Sequence, residues 1–86
     1  MPRYFFDTYD GDVLVPDDVG QELENLEAAK AVAQEELPLM AQDELPDGDE
    51  RTFIVSVRDE AGHVVLRAAL SLIVEYPSVR ADRPQR

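Results

Sequence analysis

The amino-acid sequence predicts an α+β fold in chain order ββ-α-ββ, with a four-stranded, mostly antiparallel sheet and one helix packed on one of its faces. Three observations predict this fold. Both ends of the 86-residue chain contain stretches of alternating polarity, glycine-containing turns divide these stretches, and the middle has apolar residues at spacings of three and four. A chain of this length forms one domain with a small core. We place that domain at residues 1–76.

The first hairpin is predicted by strand-type residues on both sides of an Asp-Gly pair. Residues 3–9 alternate and are rich in aromatic side chains, and residues 12–15 form a second, shorter run. Asp10 and Gly11 between them tolerate the positive φ angles of a tight hairpin turn. Pro16 ends the second strand because it has no N–H to donate to a neighbouring strand.

The helix is predicted at about residues 26–44, after an acidic connector over 16–24. Asn25 can cap the first turn, since its side-chain oxygen can accept a free backbone N–H. Pro38 removes one helical hydrogen bond and costs about 3 kcal/mol in a helix interior, so the prediction is either a helix kinked there or two shorter helices. The apolar stripe of this segment consists of Leu26, Ala29, Ala33, Leu37 and Met40.

The second hairpin follows a predicted turn at residues 45–49. Residues 51–59 and 64–76 alternate in polarity, and Gly62 suits the left-handed position of the short loop between them. The order of the four strands stays open at this point, because either hairpin could lie outermost. Residues 77–86 contain two prolines and three arginines and predict a disordered basic tail.

The charge excludes several classes of function. The chain has 19 acidic and 8 basic side chains and a net charge of -11, and three of the basic residues lie in the tail. An acidic surface repels nucleic-acid phosphate and anionic lipid over about a Debye length, roughly 8 Å at physiological salt. We therefore expect no direct nucleic-acid binding by the folded domain and no membrane association. No apolar run of signal-peptide length occurs near the N-terminus, and the chain has no cysteine, so we expect a cytoplasmic protein.

Side chains suited to catalysis are few. His63 is the single histidine and follows a hairpin loop, and we expect Ser56 and Ser71 to lie on strands with their hydroxyl groups toward solvent. A nucleophile, a base and an orienting group are needed together for covalent catalysis. We therefore expect no catalytic residues and no enzyme.

The carboxylates predict ion pairs more readily than acid–base or metal chemistry. Asp7 lies in the middle of a strand, where it can pair across the sheet with Arg3, Arg58 or Arg67. The acidic loops beginning at Asp7 and at 47 lack the oxygen and glycine spacing of a calcium-binding EF-hand. Zinc motifs, phosphate-binding glycine loops and dinucleotide fingerprints are absent from the sequence. We expect no metal and no cofactor.

Several short segments of the chain form a recognisable combination. They are Pro2-Arg3-Tyr4-Phe5-Phe6-Asp7, Asp10-Gly11-Asp12, Gly20-Gln21-Glu22-Leu23, Leu26-Glu27-Ala28-Ala29, Leu45-Pro46-Asp47-Gly48-Asp49-Glu50, Val57-Arg58-Asp59-Glu60-Ala61-Gly62 and Leu70-Ser71-Leu72. Together these segments resemble a family of short acidic domains of unknown function from rhizobia and related alphaproteobacteria. The resemblance spans about residues 2–76 and implies a bacterial source and a stand-alone domain, without implying an activity. Pro38 departs from the family pattern, in which this helix usually continues with alanines and arginines.

The face of the sheet that the helix leaves uncovered is the strongest positive indication. Strand alternation assigns one set to the helix side, namely Tyr4, Phe6, Phe53, Val55, Val57, Leu66, Leu70 and Leu72. The opposite side keeps apolar residues rimmed by charge, which is typical of an interaction surface. The candidate interaction residues are Phe5, Tyr9, Ile54, Arg58, Val65, Arg67 and Ile73. The alternative is that these apolar residues are scattered and shielded by the stems of long arginine side chains.

These observations favour a non-enzymatic protein–protein interaction module that forms a homodimer through the exposed sheet face or an edge strand. The alternative is an acidic regulator, either a nucleic-acid mimic or an antitoxin-like protein, that binds a basic protein partner. Its motivation is the excess of 18 acids over five bases in residues 1–76.

Overall fold

The computed structural model describes residues 1–11, 13–43 and 50–77. These residues form one helix and five strands, which confirms the predicted α+β class. In chain order the elements are β1 (Arg3–Asp10), β2 (Val13–Val15), β3 (Gln21–Glu22), α1 (Leu26–Asp43), β4 (Glu50–Arg58) and β5 (Val64–Ile73). In these described ranges no helix is long and apolar enough to cross a membrane.

The sheet is antiparallel throughout and has the order β2-β1-β4-β5. The two long strands β1 and β4 lie in the centre, with Phe6 opposite Val57 and Thr8 opposite Val55. β2 and β5 are the outer strands, so each hairpin contributes one inner and one outer strand. This settles the strand order that the sequence left open.

The short strand β3 was not predicted. It pairs with the first half of β1, while β2 pairs with the second half, so both lie along the same edge of β1. The backbone N–H of Leu23 also donates to the carbonyl of Pro2 at 2.9 Å. Two residues are too few to show an alternating pattern, so this strand depends on the tertiary position of the connector and not on its own sequence.

The helix begins where Asn25 predicts. The Asn25 side-chain oxygen accepts the backbone N–H of Ala28 at 2.9 Å, and its carbonyl accepts that of Ala29 at 3.2 Å. α1 continues through Pro38 to Asp43 as one helix, so the alternative of two shorter helices is wrong. Pro38 is exposed, so its ring lies on the solvent side and away from the core.

The core lies between α1 and one face of the sheet. Val55 and Val57 of the central strand are fully buried, and Phe53 is 1% exposed. The helix contributes small residues, which let it lie close to the strands. The buried apolar set is Tyr4, Phe6, Ala29, Ala33, Leu37, Phe53, Val55 and Val57.

Leu70 and Leu72 have the predicted face but not the expected burial. In register, Leu70 lies opposite Phe53 and Leu72 opposite Arg51, yet their exposures are 40% and 41%. β5 is an outer strand, so in the described part of the chain no neighbouring strand covers its far side. The strand also ends at Ile73, before the predicted end at Tyr76.

Some predictions fall outside the described residues. These are the hairpin position Asp12, the last predicted helix residue Glu44, the turn at 45–49 and the tail beyond Pro77.

Candidate interaction surface on the open sheet face

We call the sheet face opposite α1 the open face, and the pairing register assigns its residues. Phe5 lies opposite Arg58, and Tyr9 lies opposite Ile54. On the other side of β4, Ile54 lies opposite Ala69. The open-face residues in register are Arg3, Phe5, Asp7 and Tyr9 on β1, Thr52, Ile54, Ser56 and Arg58 on β4, and Arg67, Ala69, Ser71 and Ile73 on β5. The register shifts between Val57 and Arg58, so Val64 lies opposite Arg58, and alternation with Arg67 places Val65 on the open face. The sequence-predicted residues therefore share one face, although they differ in how far they are exposed.

An ion cluster occupies the β1 side of the open face. The Arg58 Nε lies 2.6 Å from Oδ2 of Asp7, and its Nη2 lies 3.0 Å from Oδ1. The same Nη2 donates to the carbonyl of Asp17 at 2.8 Å, and the Asp17 N–H donates to Asp7 Oδ1 at 2.9 Å. Of the three arginines predicted as partners of Asp7, Arg58 is the one that pairs with it. Its guanidinium also lies 5.0 Å from the centroid of the Phe5 ring, within cation–π range.

Asp17 organises the connector between β2 and β3. Its Oδ2 accepts the N–H of Phe6 at 3.0 Å, and its Oδ1 accepts those of Val19 at 3.0 Å and Gly20 at 3.1 Å. Sequence reasoning did not single out this residue. A usable signal was present, because an Asp that follows a proline and precedes a glycine by three residues suits a side-chain-capped turn.

The connector covers Phe5. Gly20 has φ +76°, and a Cβ built on it would lie 2.9 Å from the Phe5 ring and 2.9 Å from Cγ of Arg3. Arg3 in turn donates from Nη1 to the carbonyl of Val19 at 2.9 Å. Phe5 is therefore half-buried by its own chain and contributes less to a contact surface than its sequence position suggests.

Replacing Gly20 by alanine is expected to destabilise the protein more than replacing Gly62. Both glycines have positive φ, which costs an alanine about 1 kcal/mol. Of the two, only Gly20 also has neighbouring side chains with which an added Cβ would collide. We expect about 2 kcal/mol for Gly20→Ala and about 1 kcal/mol for Gly62→Ala. Urea denaturation of the two variants measures the difference, and equal losses would contradict the close contact between connector and Phe5.

The ion cluster keeps both carboxylates ionised. The hydrogen bond from Arg58 holds the pKa of Asp7 below its ordinary value of 3.8, against the opposing effect of burial. Burial also opposes ionisation of Asp17, but the backbone N–H groups of Phe6, Gly20 and Val19 outweigh it and lower the pKa of Asp17. The hydrogen bond to Asp7 raises the pKa of Arg58.

These pKa directions predict that acid destabilises the protein. A carboxylate whose pKa is lower in the folded state makes its full contribution to the free energy of unfolding above its unfolded pKa, near 3.8. That contribution is lost as the pH falls through the pKa of the folded state. Urea denaturation across this range should show the free energy of unfolding falling below about pH 4. Asp7→Asn should remove part of this dependence, whereas Asp18→Asn, at an exposed neighbour of Asp17, should leave it unchanged. A wild-type stability that does not vary with pH there would rule out the ionised cluster.

The remaining candidate interaction residues differ in exposure according to the strand on which they lie. Tyr9 and Ile54, on the two central strands, are half-buried. On β5, Val65 is 38% exposed and Ile73 is 61% exposed. Arg67 is exposed, and among the described residues no carboxylate lies within ion-pair distance of it. The accessible part of the predicted surface is therefore concentrated on β5.

Two expectations about polar side chains have different outcomes. Ser56 is buried, with 4% exposure, so the prediction that its hydroxyl faces solvent is wrong. It lies on a central strand between Asp7 and Arg67, and such long flanking side chains can cover a small one. Ser71, on the outer strand, is exposed and lies 3.0 Å from the hydroxyl of Thr52.

Outside the ion cluster, the described side chains that could act as acids, bases or ligands form no larger group. His63 is 80% exposed, with Nδ1 3.9 Å from Oδ2 of Asp59. A shallow depression near the β1–β2 turn contains Asp10 and Arg51, which form an ion pair of 2.7 Å with each other. Within residues 1–11, 13–43 and 50–77, no group of three or more acidic or histidine side chains could hold a metal ion.

A family model described as a domain of unknown function (DUF6894) matches residues 3–71. This match covers most of the 86 residues, so the chain belongs to that family. No curated protein and no solved structure matches the chain.

Proposed function

We propose that this member of the family is a small, non-enzymatic interaction module that associates with a second copy of itself through its sheet. The observation that carries the proposal is the concentration of exposed apolar side chains on β5. Its large exposed residues are Val64, Val65, Leu70, Leu72 and Ile73, with exposures of 49%, 38%, 40%, 41% and 61%. A long apolar outer strand is a site where another chain can bind.

The charge distribution supports a second copy as the partner. β5 contains no carboxylate and one arginine, Arg67, in a chain with a net charge of -11. Two such chains repel each other wherever their acidic connectors or helices approach, so the strands without carboxylates, β5 and the shorter β2, are the elements where approach costs least. The connector residues Asp18 and Glu22 and the helix residues Glu27 and Glu35 are exposed elsewhere on the molecule.

The ion cluster supports a non-catalytic role. A general acid or base acts best when its pKa lies near the working pH. The pKa values of Asp7 and Asp17 are instead lowered, away from neutral pH, and their oxygens accept hydrogen bonds from Arg58 and from backbone N–H groups. The cluster therefore serves to fasten the connector to the sheet.

The proposed location is a bacterial cytoplasm. The resemblance of the N-terminal and turn segments supports a bacterial source, and the lack of cysteine in the sequence is compatible with a reducing compartment.

A second candidate is an acidic regulator of a basic protein. It is favoured by exposed carboxylates, among them Asp18, Glu24, Glu27 and Glu35, that take part in none of the ion pairs of the described residues. Such a partner should be captured at low salt and released as salt rises, because screening weakens exposed charge pairs. Failure to bind a basic protein at low salt would exclude this candidate.

Ile73→Lys should weaken self-association. Ile73 is 61% exposed on β5, and a lysine there adds a charge and removes apolar area from the contact. Light scattering over a range of concentrations should show a mass of twice the 9.7 kDa chain for the wild type and a shift toward the monomer for the variant. Val19→Lys is the matched control, because Val19 is 71% exposed but lies on the connector. Equal effects of the two lysines would count against a contact at β5.

A further inference from the structure

We infer that two copies of the chain join edge to edge, pairing β5 with β5 of the second copy in antiparallel orientation about a two-fold axis at Ala69. This inference rests on the proposed self-association and specifies its geometry. In the described part of the chain, no strand pairs with the outer side of β5. That side therefore offers backbone N–H and C=O groups along ten residues, a length of about 34 Å.

The two outer strands of the sheet are not equivalent. β2 has three residues and is followed by Pro16 and the acidic connector, features that protect an edge from further pairing. β5 has neither a proline nor a carboxylate along its length. A contact between β5 and β2 of another copy would join the chains head to tail into a filament or a larger ring, whereas pairing of β5 with β5 gives a closed dimer.

Symmetry restricts how two β5 strands can pair. A two-fold axis that relates neighbouring antiparallel strands is perpendicular to the sheet, so the open faces of both copies lie on the same side. Residues directly opposite one another then belong to the same face. Because successive residues of a strand alternate between faces, the axis must lie midway between the two copies of one residue. Complete overlap of Val64–Ile73 would place the axis between Ala68 and Ala69, so the two allowed axes with the largest overlap lie at Ala68 and at Ala69.

The side chains select Ala69. With the axis there, Val65 faces Ile73 of the second copy on the open face, and Arg67 faces Ser71. On the helix side, Leu66 faces Leu72 and Ala68 faces Leu70, so each large apolar residue meets another apolar residue. With the axis at Ala68, Val65 would instead face Ser71 and Ile73 would face His63. Only the Ala69 register covers the exposed apolar residues of both faces with apolar partners.

The resulting assembly is one continuous antiparallel sheet with both helices on the same side. Its two central strands are β5 and β5 of the second copy, and each outer edge is formed by the short strands β2 and β3. The half-exposed Leu70 and Leu72 then lie between the two copies, in the position of core residues. The dimer therefore explains why β5 has the apolar residues of a core strand although a single chain leaves many of them exposed.

Single-cysteine variants test the axis directly, since the natural chain has no cysteine. Ala69→Cys places two thiols on directly opposite residues, where Cα atoms lie about 4.5–5.5 Å apart, within the range of a disulfide. Ser71→Cys is the matched control, on the same strand and face, but its two copies would lie four residues out of register. We expect mild oxidation to cross-link Ala69→Cys to a dimer and to leave Ser71→Cys a monomer on a denaturing gel. Cross-linking of Ser71→Cys but not Ala69→Cys would overturn the register.

A pair of lysine variants separates edge pairing from stacking of the open faces. Ala69 and Thr52 are both exposed on the open face, on adjacent strands, but only Ala69 lies on the outer strand. Edge pairing predicts that Ala69→Lys raises the dimer dissociation constant about tenfold or more, because two lysines meet at the axis, and that Thr52→Lys changes it less than about threefold. Circular dichroism checks that both variants remain folded.

The outcomes distinguish this inference from the proposed function. A wild-type dimer that both lysines disrupt equally would contradict edge pairing and leave self-association standing. A wild-type chain that is monomeric at every concentration would contradict both. Oligomers larger than two would contradict the closed two-fold arrangement, because they require a contact that does not pair β5 with itself.

Discussion

Phe53→Ala is expected to reduce the free energy of unfolding by about 3–5 kcal/mol, enough to leave much of the protein unfolded at room temperature. Phe53 is 1% exposed and belongs to the central strand β4, between the helix and the sheet. Its removal leaves a cavity in a core that is small because the chain is short. The guanidinium of Arg51, 5.8 Å from the Phe53 ring centroid, loses its aromatic neighbour as well.

Urea denaturation at a fixed protein concentration measures this loss, since association would otherwise shift the apparent stability. Leu39→Ala is the matched control, because Leu39 lies on α1 with 55% exposure. We expect the control to change the free energy of unfolding by about 0.5 kcal/mol or less. A loss below about 1 kcal/mol for Phe53→Ala would place the core elsewhere.

Asp17→Ala is expected to destabilise the protein by about 2–3 kcal/mol. The alanine leaves the N–H groups of Phe6, Val19 and Gly20 without the carboxylate that accepts them. The connector should then detach from Phe5, so a local effect should accompany the loss of stability. Hydrogen exchange at these three amides should accelerate in the variant.

Asp18→Ala provides the comparison, since Asp18 is the exposed neighbour of Asp17. Both variants remove one negative charge, so a difference between them reports the hydrogen bonds and not the net charge. We expect Asp18→Ala to leave both stability and amide exchange close to the wild-type values. Unchanged exchange at Phe6 in Asp17→Ala would show that the carboxylate does not hold the connector.

Local sequence signals were sufficient for the main elements. The alternation of β1 and β4 gave the buried face correctly, because Tyr4, Phe6 and Val55 follow a strict period of two. Asn25 gave the first residue of the helix, since a cap depends on neighbouring backbone groups alone. The pairing of Asp7 with an arginine was also predictable, although not which arginine.

Features that depend on distant parts of the chain could not be predicted in the same way. β3 and the role of Asp17 exist because the connector folds back onto β1, a contact without a periodic signal. The partial exposure of Leu70 follows from the outer position of β5, and strand order is not encoded in alternation. The burial of Ser56 follows from its central strand and long flanking side chains, not from its own polarity.

The native mass of the protein across a range of concentrations tests the central proposal most directly. Sedimentation equilibrium or light scattering should give twice the chain mass of 9.7 kDa for the wild type, and Ala69→Lys should shift this mass toward the single chain at the same concentration. A wild-type mass of 9.7 kDa at every concentration would contradict self-association through β5.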